Sequence, residues 1–182
     1  MTVVEMGVDR KADLVLLQGP EGERGRIRIS HPAYEIRKRT RVWMVVCQGS
    51  GFITDEQTDL SRCTNDDDML SGINRTGGKM TRSINVYDQS DKEPRERWAR
   101  KLNWHRAIRM KGGAIMAGDM NAHSRRWDPR WREQREATFW EEIIHKYGLE
   151  IGNDERPTHH WPRNGAEAEL TIDLILASRP IT

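Results

Sequence analysis

Ala114–Asp128 reads AIMAGDMNAHSRRWD, and the fold turns on how this stretch is understood. A short apolar run, Ala114–Ala117, stops at Gly118, and Asp119, Asn121, His123 and Ser124 follow in quick succession. A buried strand that ends in glycine and hands over an Asp and an Asn sets polar groups at the rim of a sheet. Loops held by such a scaffold are where chemistry concentrates.

Working outward, the flanks have helical period. Pro94 opens a helix predicted over Arg95–Met110, because proline is tolerated in a first turn. Trp98, Leu102, His105 and Ile108 fall on one side of it as a core-facing stripe, which makes His105 a packing residue rather than a ligand. Gly112-Gly113 closes this helix. A second helix is predicted over Trp131–Tyr147, with Ala137, Trp140, Ile144 and Tyr147 as its apolar side and Gly148 as its stop.

Beyond the helices the pattern is that of strands. Leu14–Gln18 and Val42–Cys47 are continuous apolar runs that fit strands buried on both faces, although periodicity alone leaves a short helix open for the first. Arg82–Tyr87 alternates, with Ile84 and Val86 against Ser83, Asn85 and Tyr87. Leu149–Asn153 is a short strand and Leu170–Ala177 the last one. In the last, Leu170, Ile172, Leu174 and Leu176 point one way and Thr171, Asp173, Ile175 and Ala177 the other. An Asp among aliphatics is costly unless paired, so Asp173 implies a function or a structural hydrogen bond.

The remaining segments read as connections. Thr2–Lys11 is a helix or the end of one. Glu21–Arg41 is a charged loop with at most a short strand around Arg26–Ser30. Thr54–Gly78 is polar, with Asp66-Asp67-Asp68 as a solvated turn, and Asp154–Gly165 is a loop carrying His159 and His160. Strands separated by helices of this length indicate an α/β protein, and no internal repeat is present.

At 182 residues the chain suits one domain that buries roughly 70% of its unfolded surface. Its hydrophobic content is 36% and its charged content 32%, and seven Trp offset the shortage of apolar bulk. The net charge of +2 hides basic bunching in Arg24–Arg41, Arg95–Lys111 and Arg125–Arg135. Such clusters suit a phosphate-backbone partner, or they are simply solvated faces. Cys47 and Cys63, with no secretory signal, point to a reducing compartment, nuclear or otherwise intracellular rather than secreted. No apolar run approaches the ~18 residues of a membrane span, so no membrane partner is expected.

Four ordered segments resemble one family. Gly118-Asp119-Met120-Asn121-Ala122-His123 is similar to the GDFNAH segment of the endonuclease/exonuclease/phosphatase superfamily. Trp127 and Thr171-Ile172-Asp173-Leu174 resemble the endonuclease domains of non-LTR retrotransposons, rather than abasic-site endonucleases or phosphoinositide phosphatases. Ile84-Asn85-Val86-Tyr87 resembles that family's strand ending in a functional Tyr, and Leu14–Pro20 its LLLQEP segment.

The resemblance implies a four-layered α/β sandwich, two mixed β-sheets packed face to face with helices outside. It implies Mg²⁺-dependent hydrolysis of a DNA phosphodiester, with a reverse transcriptase domain as companion in a full-length element. A divalent ion offsets charge on the phosphorane and leaving oxygen, a carboxylate orients water, and amide or phenol donors hold phosphate oxygens. By position, Asp119 would orient the water, and Asn121 and Tyr87 would donate to the phosphate. Asp173 would brace a catalytic His, with Thr171 and His123 as neighbouring supporting groups.

Two departures accompany the match. The family's metal-binding Glu falls at Gly19, so no intact metal ligand set is expected; Glu21 lies two positions on, past Pro20. The family's catalytic His belongs to a segment after the Thr171–Asp173 strand, whereas His31, His105, His123, His145, His159 and His160 all precede Asp173. Residues 1–182 therefore read as a single domain of this type lacking the family's first strand and its last strand and loop. The alternative to an active nuclease is an inactive remnant that keeps the fold and weak nucleic-acid binding.

Overall fold

A computed structural model describes residues 11–18, 32–39, 41–54, 68–76, 78–88, 102, 104–108, 113–130, 135–154, 156–163 and 166–179. The larger sheet has six strands in the order β4-β5-β6-β7-β11-β8, where β4 is Phe52–Thr54, β5 Met69–Thr76, β6 Lys79–Tyr87, β7 Gly113–Asp119, β8 Leu149–Ile151 and β11 Asp173–Ser178. It is mixed: β6 and β7 run parallel and the other neighbours antiparallel. The chain between β6 and β7 is a crossover, as a parallel pair requires, and its residues 104–108 are helical. A smaller antiparallel sheet places β3 (Val42–Cys47) between β1 (Leu14–Gln18) and β2 (Tyr34–Lys38). A hairpin, β9 (His159–Arg163) with β10 (Ala166–Leu170), stands apart from both sheets.

Two cores follow from strand alternation. Ile84, Val86, Met116, Leu174 and Leu176 line one face of the large sheet and pack with Trp104, Ala107 and Ile108 and with Ala137, Trp140, Ile143 and Ile144 of helix α1 (Arg135–Tyr147). The Trp104 and Trp140 rings stack at 5.0 Å. The second core lies between the sheets, where Val42, Met44, Val46 and Leu70 meet Leu14, Leu16, Phe52 and Tyr87. This layering is the α/β sandwich expected from the sequence.

Several expectations need correction. The crossover helix does not bury the Leu102 side of its stripe: Leu102 is 45% exposed, and the set Trp104, Ala107 and Ile108 points inward. Trp104 offers the largest apolar area, and it sets the rotation of the helix. His105 does pack, against Tyr147 Oη at 3.0 Å and edge-on to Phe139. Tyr34–Lys38 is a strand where a loop was predicted. Its Glu35 and Lys38 are exposed, and only Tyr34 and Ile36 carry the alternation. Met69–Thr76 is a strand inside the supposed polar loop, and Gly72 there leaves room for the Phe52 ring, which would lie 2.5 Å from a Cβ.

Asp68 is no solvated turn either. It is fully buried and ion-paired with Arg41 at 3.0 Å. His159–Arg163 is a strand inside the expected Asp154–Gly165 loop, and it pairs with Ala166–Leu170 as a hairpin. The last strand begins at Asp173, not Leu170, because the Thr171, Ile172 and Asp173 amides are taken by side chains instead of a strand partner. The readings over Thr2–Lys11 and Arg26–Ser30, and those of Gly19, Asp66, Asp67 and Trp98, lie outside the described residues, Lys11 apart.

Candidate active site

Strand register brings three of the predicted residues into one row. Tyr87 on β6 is paired with Asp119 on β7, and Asp119 in turn with Asp173 on β11. Directly opposed residues on neighbouring strands carry side chains on the same face about 5 Å apart. The row lies at one end of the sheet, on the face turned toward the smaller sheet.

Gly118 makes the approach possible. Its φ is +151°, and a Cβ there would stand 1.9 Å from the Val86 carbonyl oxygen, so no other residue fits between β6 and β7 at this point. The chain then leaves the sheet sharply. Met120 N donates to the Ile172 carbonyl at 2.9 Å, and Asn121 adopts a left-handed φ of +43°. Asn tolerates that region better than most side chains do. Asn121 N donates to Asp119 Oδ1 at 2.8 Å, and Asn121 Nδ2 donates to the Asp88 carbonyl at 2.8 Å. Asp88 N closes the ring by donating to the Asp119 carbonyl at 2.7 Å. Asn121 therefore joins the Tyr87–Asp119–Asp173 row through backbone ties at both strand ends.

The electrostatics of the row are those of crowded carboxylates. Burial pushes Asp119 up to about 6; the Asn121 amide opposes this, and the charges of Asp173 and Asp88 add to it. Burial also raises Asp173, against hydrogen bonding from Thr158 and the charge of His159. Tyr87 has the Arg41 guanidinium 5.9 Å from its ring centroid, and its amide donates to the Asp68 carbonyl at 2.8 Å.

Side chains that local sequence patterns did not single out hold the row in place. Thr158 Oγ1 accepts from the amides of Ile172 and Asp173 at 3.1 and 3.0 Å. Asn153 donates to the Asp173 carbonyl at 2.8 Å and accepts from Ile175 N at 2.7 Å, so its amide extends the β8 ladder along β11. Asp128, fully buried, accepts from Thr171 N at 2.8 Å and is gripped by Arg130. Burial would raise Asp128, but the Arg130 and Thr171 hydrogen bonds outweigh it and hold the carboxyl low. Thr171 is thus placed through its backbone, with its side chain buried. Asn85, also fully buried, donates to the Leu17 and Trp43 carbonyls at 3.0 and 2.8 Å and accepts from Gln18, joining the two sheets beneath the row.

His123 is half-buried, and burial lowers its pKa against the pull of Asp128. His160 lies 3.6 Å from Glu169. Among the described residues no three His, Cys, Asp or Glu groups converge on a site able to hold a metal ion. A cavity of about 660 Å³ opens between the sheets, from Leu14 and Gln18 across Ser83 and Ile175, and reaches Asp173.

The endonuclease-reverse transcriptase family matches residues 81–182, the part of the chain that holds β6, β7, α1 and β11. The chain belongs to this family. No curated protein sequence matches it. Solved structures share the fold over nearly the whole chain. The endonuclease domain of TRAS1, a telomere-specific non-LTR retrotransposon, superposes with a TM-score of 0.74 at 18% identity, over 97% of this chain and 77% of that one. The human Nocturnin catalytic domain with bound sulfate gives 0.58 at 13%, over 97% and 73%. TDP2 of D. rerio, complexed with a single-strand DNA product, gives 0.53 at 11%, over 99% and 77%. The fold is accordingly that of the endonuclease/exonuclease/phosphatase proteins. Among the described residues no helix is long and apolar enough to cross a membrane.

Proposed function

We propose that this chain is a retroelement-type endonuclease domain that nicks DNA by attack of water on a phosphodiester. The observation that carries the reading is the Tyr87–Asp119–Asp173 row, closed by Asn121 at the rim. A carboxyl group with a pKa of about 6 is mostly ionised at neutral pH yet basic enough to accept a proton, as a general base should be. Asp119 orients the water and takes its proton as the new oxygen–phosphorus bond forms and the bond from phosphorus to one sugar oxygen breaks, that oxygen leaving with a proton from solvent. The Asn121 amide and the Tyr87 phenol donate to the phosphate oxygen that gains charge. Asp173 sets the far edge of the row, with Thr158 and His159 beside it. Thr171 and His123 support the loops on either side.

DNA as substrate is supported by family membership and by the basic face described below. A reverse transcriptase companion and a role for magnesium are supported by the family alone. A plasmid-nicking assay with added Mg²⁺ tests the reading. The wild type should convert supercoiled to open-circular DNA, and Asp119→Ala should lower the rate about 100-fold or more. A second reading, binding without cutting, is favoured by Gly19, which stands where the family's metal-binding Glu falls. It predicts equal, background nicking by both proteins.

A further inference from the structure

The basic stretch after the row divides into arginines that are occupied and arginines that are not. Arg130 is tied to Asp128 and Glu169, Arg156 to Asp154, and Arg179 to Glu150. Arg125 and Arg126 are exposed, and among the described residues no ion pair reaches either one.

Their backbone is nonetheless firmly held. Ser124 is buried, donates to Glu141 and accepts from Arg126 N at 3.1 Å. Its carbonyl accepts from Trp127 N and Asp128 N at 3.2 and 2.8 Å. The Trp127 ring is buried, and its Nε1 donates to the Ala122 carbonyl at 3.1 Å. Two guanidinium groups are thus presented on a fixed turn between Asn121 and Asp128. Arg126 borders two adjoining grooves, of about 540 and 560 Å³, and the second runs to Thr171 and Asn153 beside Asp173.

We propose that Arg125 and Arg126 form a backbone contact for DNA, gripping phosphates of the segment that flanks the cleavage position. The inference rests on the nuclease reading and adds where the substrate lies. Arg125 lies four positions after Asn121, a span of at most about 14 Å. Duplex DNA carries one charge per ~1.7 Å of its axis, so phosphates within a few nucleotides of the row come within reach of both side chains. A turn already fixed spends little conformational entropy on binding, and unpaired guanidinium groups need break no protein ion pair. Because phosphates carry no sequence information, the contact holds any duplex alike.

The test is the salt dependence of binding of the full chain to two 20-base-pair duplexes of unrelated sequence, by fluorescence anisotropy in EDTA, where cutting is suppressed. R125A/R126A should lower the slope of log affinity against log salt by about two on both duplexes. R156A/R179A removes two arginines already paired with carboxylates and should leave the slope unchanged. R125Q/R126Q, which keeps most of each stem, serves if the alanine pair melts early. An unchanged slope in a folded R125/R126 variant of a wild type that binds and nicks would overturn this contact and leave the nuclease reading intact. A wild type that neither binds nor nicks would overturn both.

Discussion

The two faces of the six-stranded sheet are built to different ends. On the helix side, Ile84, Met116, Leu174 and Leu176 are at most 1% exposed, and they close against Trp104 and Trp140. On the side facing the smaller sheet, Ile115 and Ile175 are 40% and 47% exposed, a buried amide, Asn85, joins the sheets, and two carboxyl groups sit at the rim. One face supplies stability by burying apolar area. The other gives some of that area up to a cavity that reaches Asp173. Neighbouring residues of a single strand serve both: Gly118 packs against β6 so that Asp119 can face the other way.

The contrast can be broken most forcefully on the apolar face. Trp140→Ala should lower unfolding stability by about 3–5 kcal/mol, because it empties a stacked, fully buried position. Chemical denaturation measures this. A loss below about 1 kcal/mol would mean that the helix layer is not the stabilising one.

On the rim the sign should reverse. Asp119 has a folded pKa raised from 3.8 to about 6, so the native state binds more protons than the unfolded chain between those values. Its ionisation then costs stability as pH rises through that window. Asp119→Asn keeps an acceptor for Asn121 N and should raise stability at pH 7 by up to about 3 kcal/mol. The gain should vanish below about pH 4. Melting curves across pH 4–8 read this directly, and a gain that does not depend on pH would show that the carboxyl is not strained.

A smaller effect is expected at the joint between the sheets. Asn85→Ala leaves the Leu17 and Trp43 carbonyls without their buried donor and should cost about 1–3 kcal/mol. Hydrogen exchange should show the loss concentrated in β1 and β3. Uniform loosening would instead make Asn85 part of the general core.

How much of this could be read from sequence depended on whether the cause was local. Asp119 and its neighbours were legible because glycine, carboxylate and amide follow one another at a strand end. Register then carried Tyr87 and Asp173 to the same row. Strands β2 and β5 were not legible, since one is half-exposed and charged and the other is broken by Gly72, and neither shows clean alternation. The hairpin β9–β10 was hidden by a polar, histidine-rich composition. Asp128 was missed as a clamp because its partner, the Thr171 amide, is 43 residues away. Asp68 reads as a solvated turn because the Arg41 that neutralises it lies far back in the chain, just before β3. Asp88 had a visible signal, its place directly after Tyr87, but only the folded chain shows Asn121 and Asp119 bonded to its backbone.

Asp119 is the proposed base of a phosphodiester-cleaving row. The most direct measurement is the plasmid-nicking rate of the wild type against pH, at fixed Mg²⁺, beside Asp119→Ala. The rate should rise with an inflection near pH 6, where Asp119 ionises, and level off above it, while Asp119→Ala stays about 100-fold lower or more and shows no such inflection. Nicking that is equal in the two proteins at every pH would contradict the claim and leave the chain as a DNA-binding sandwich without catalysis.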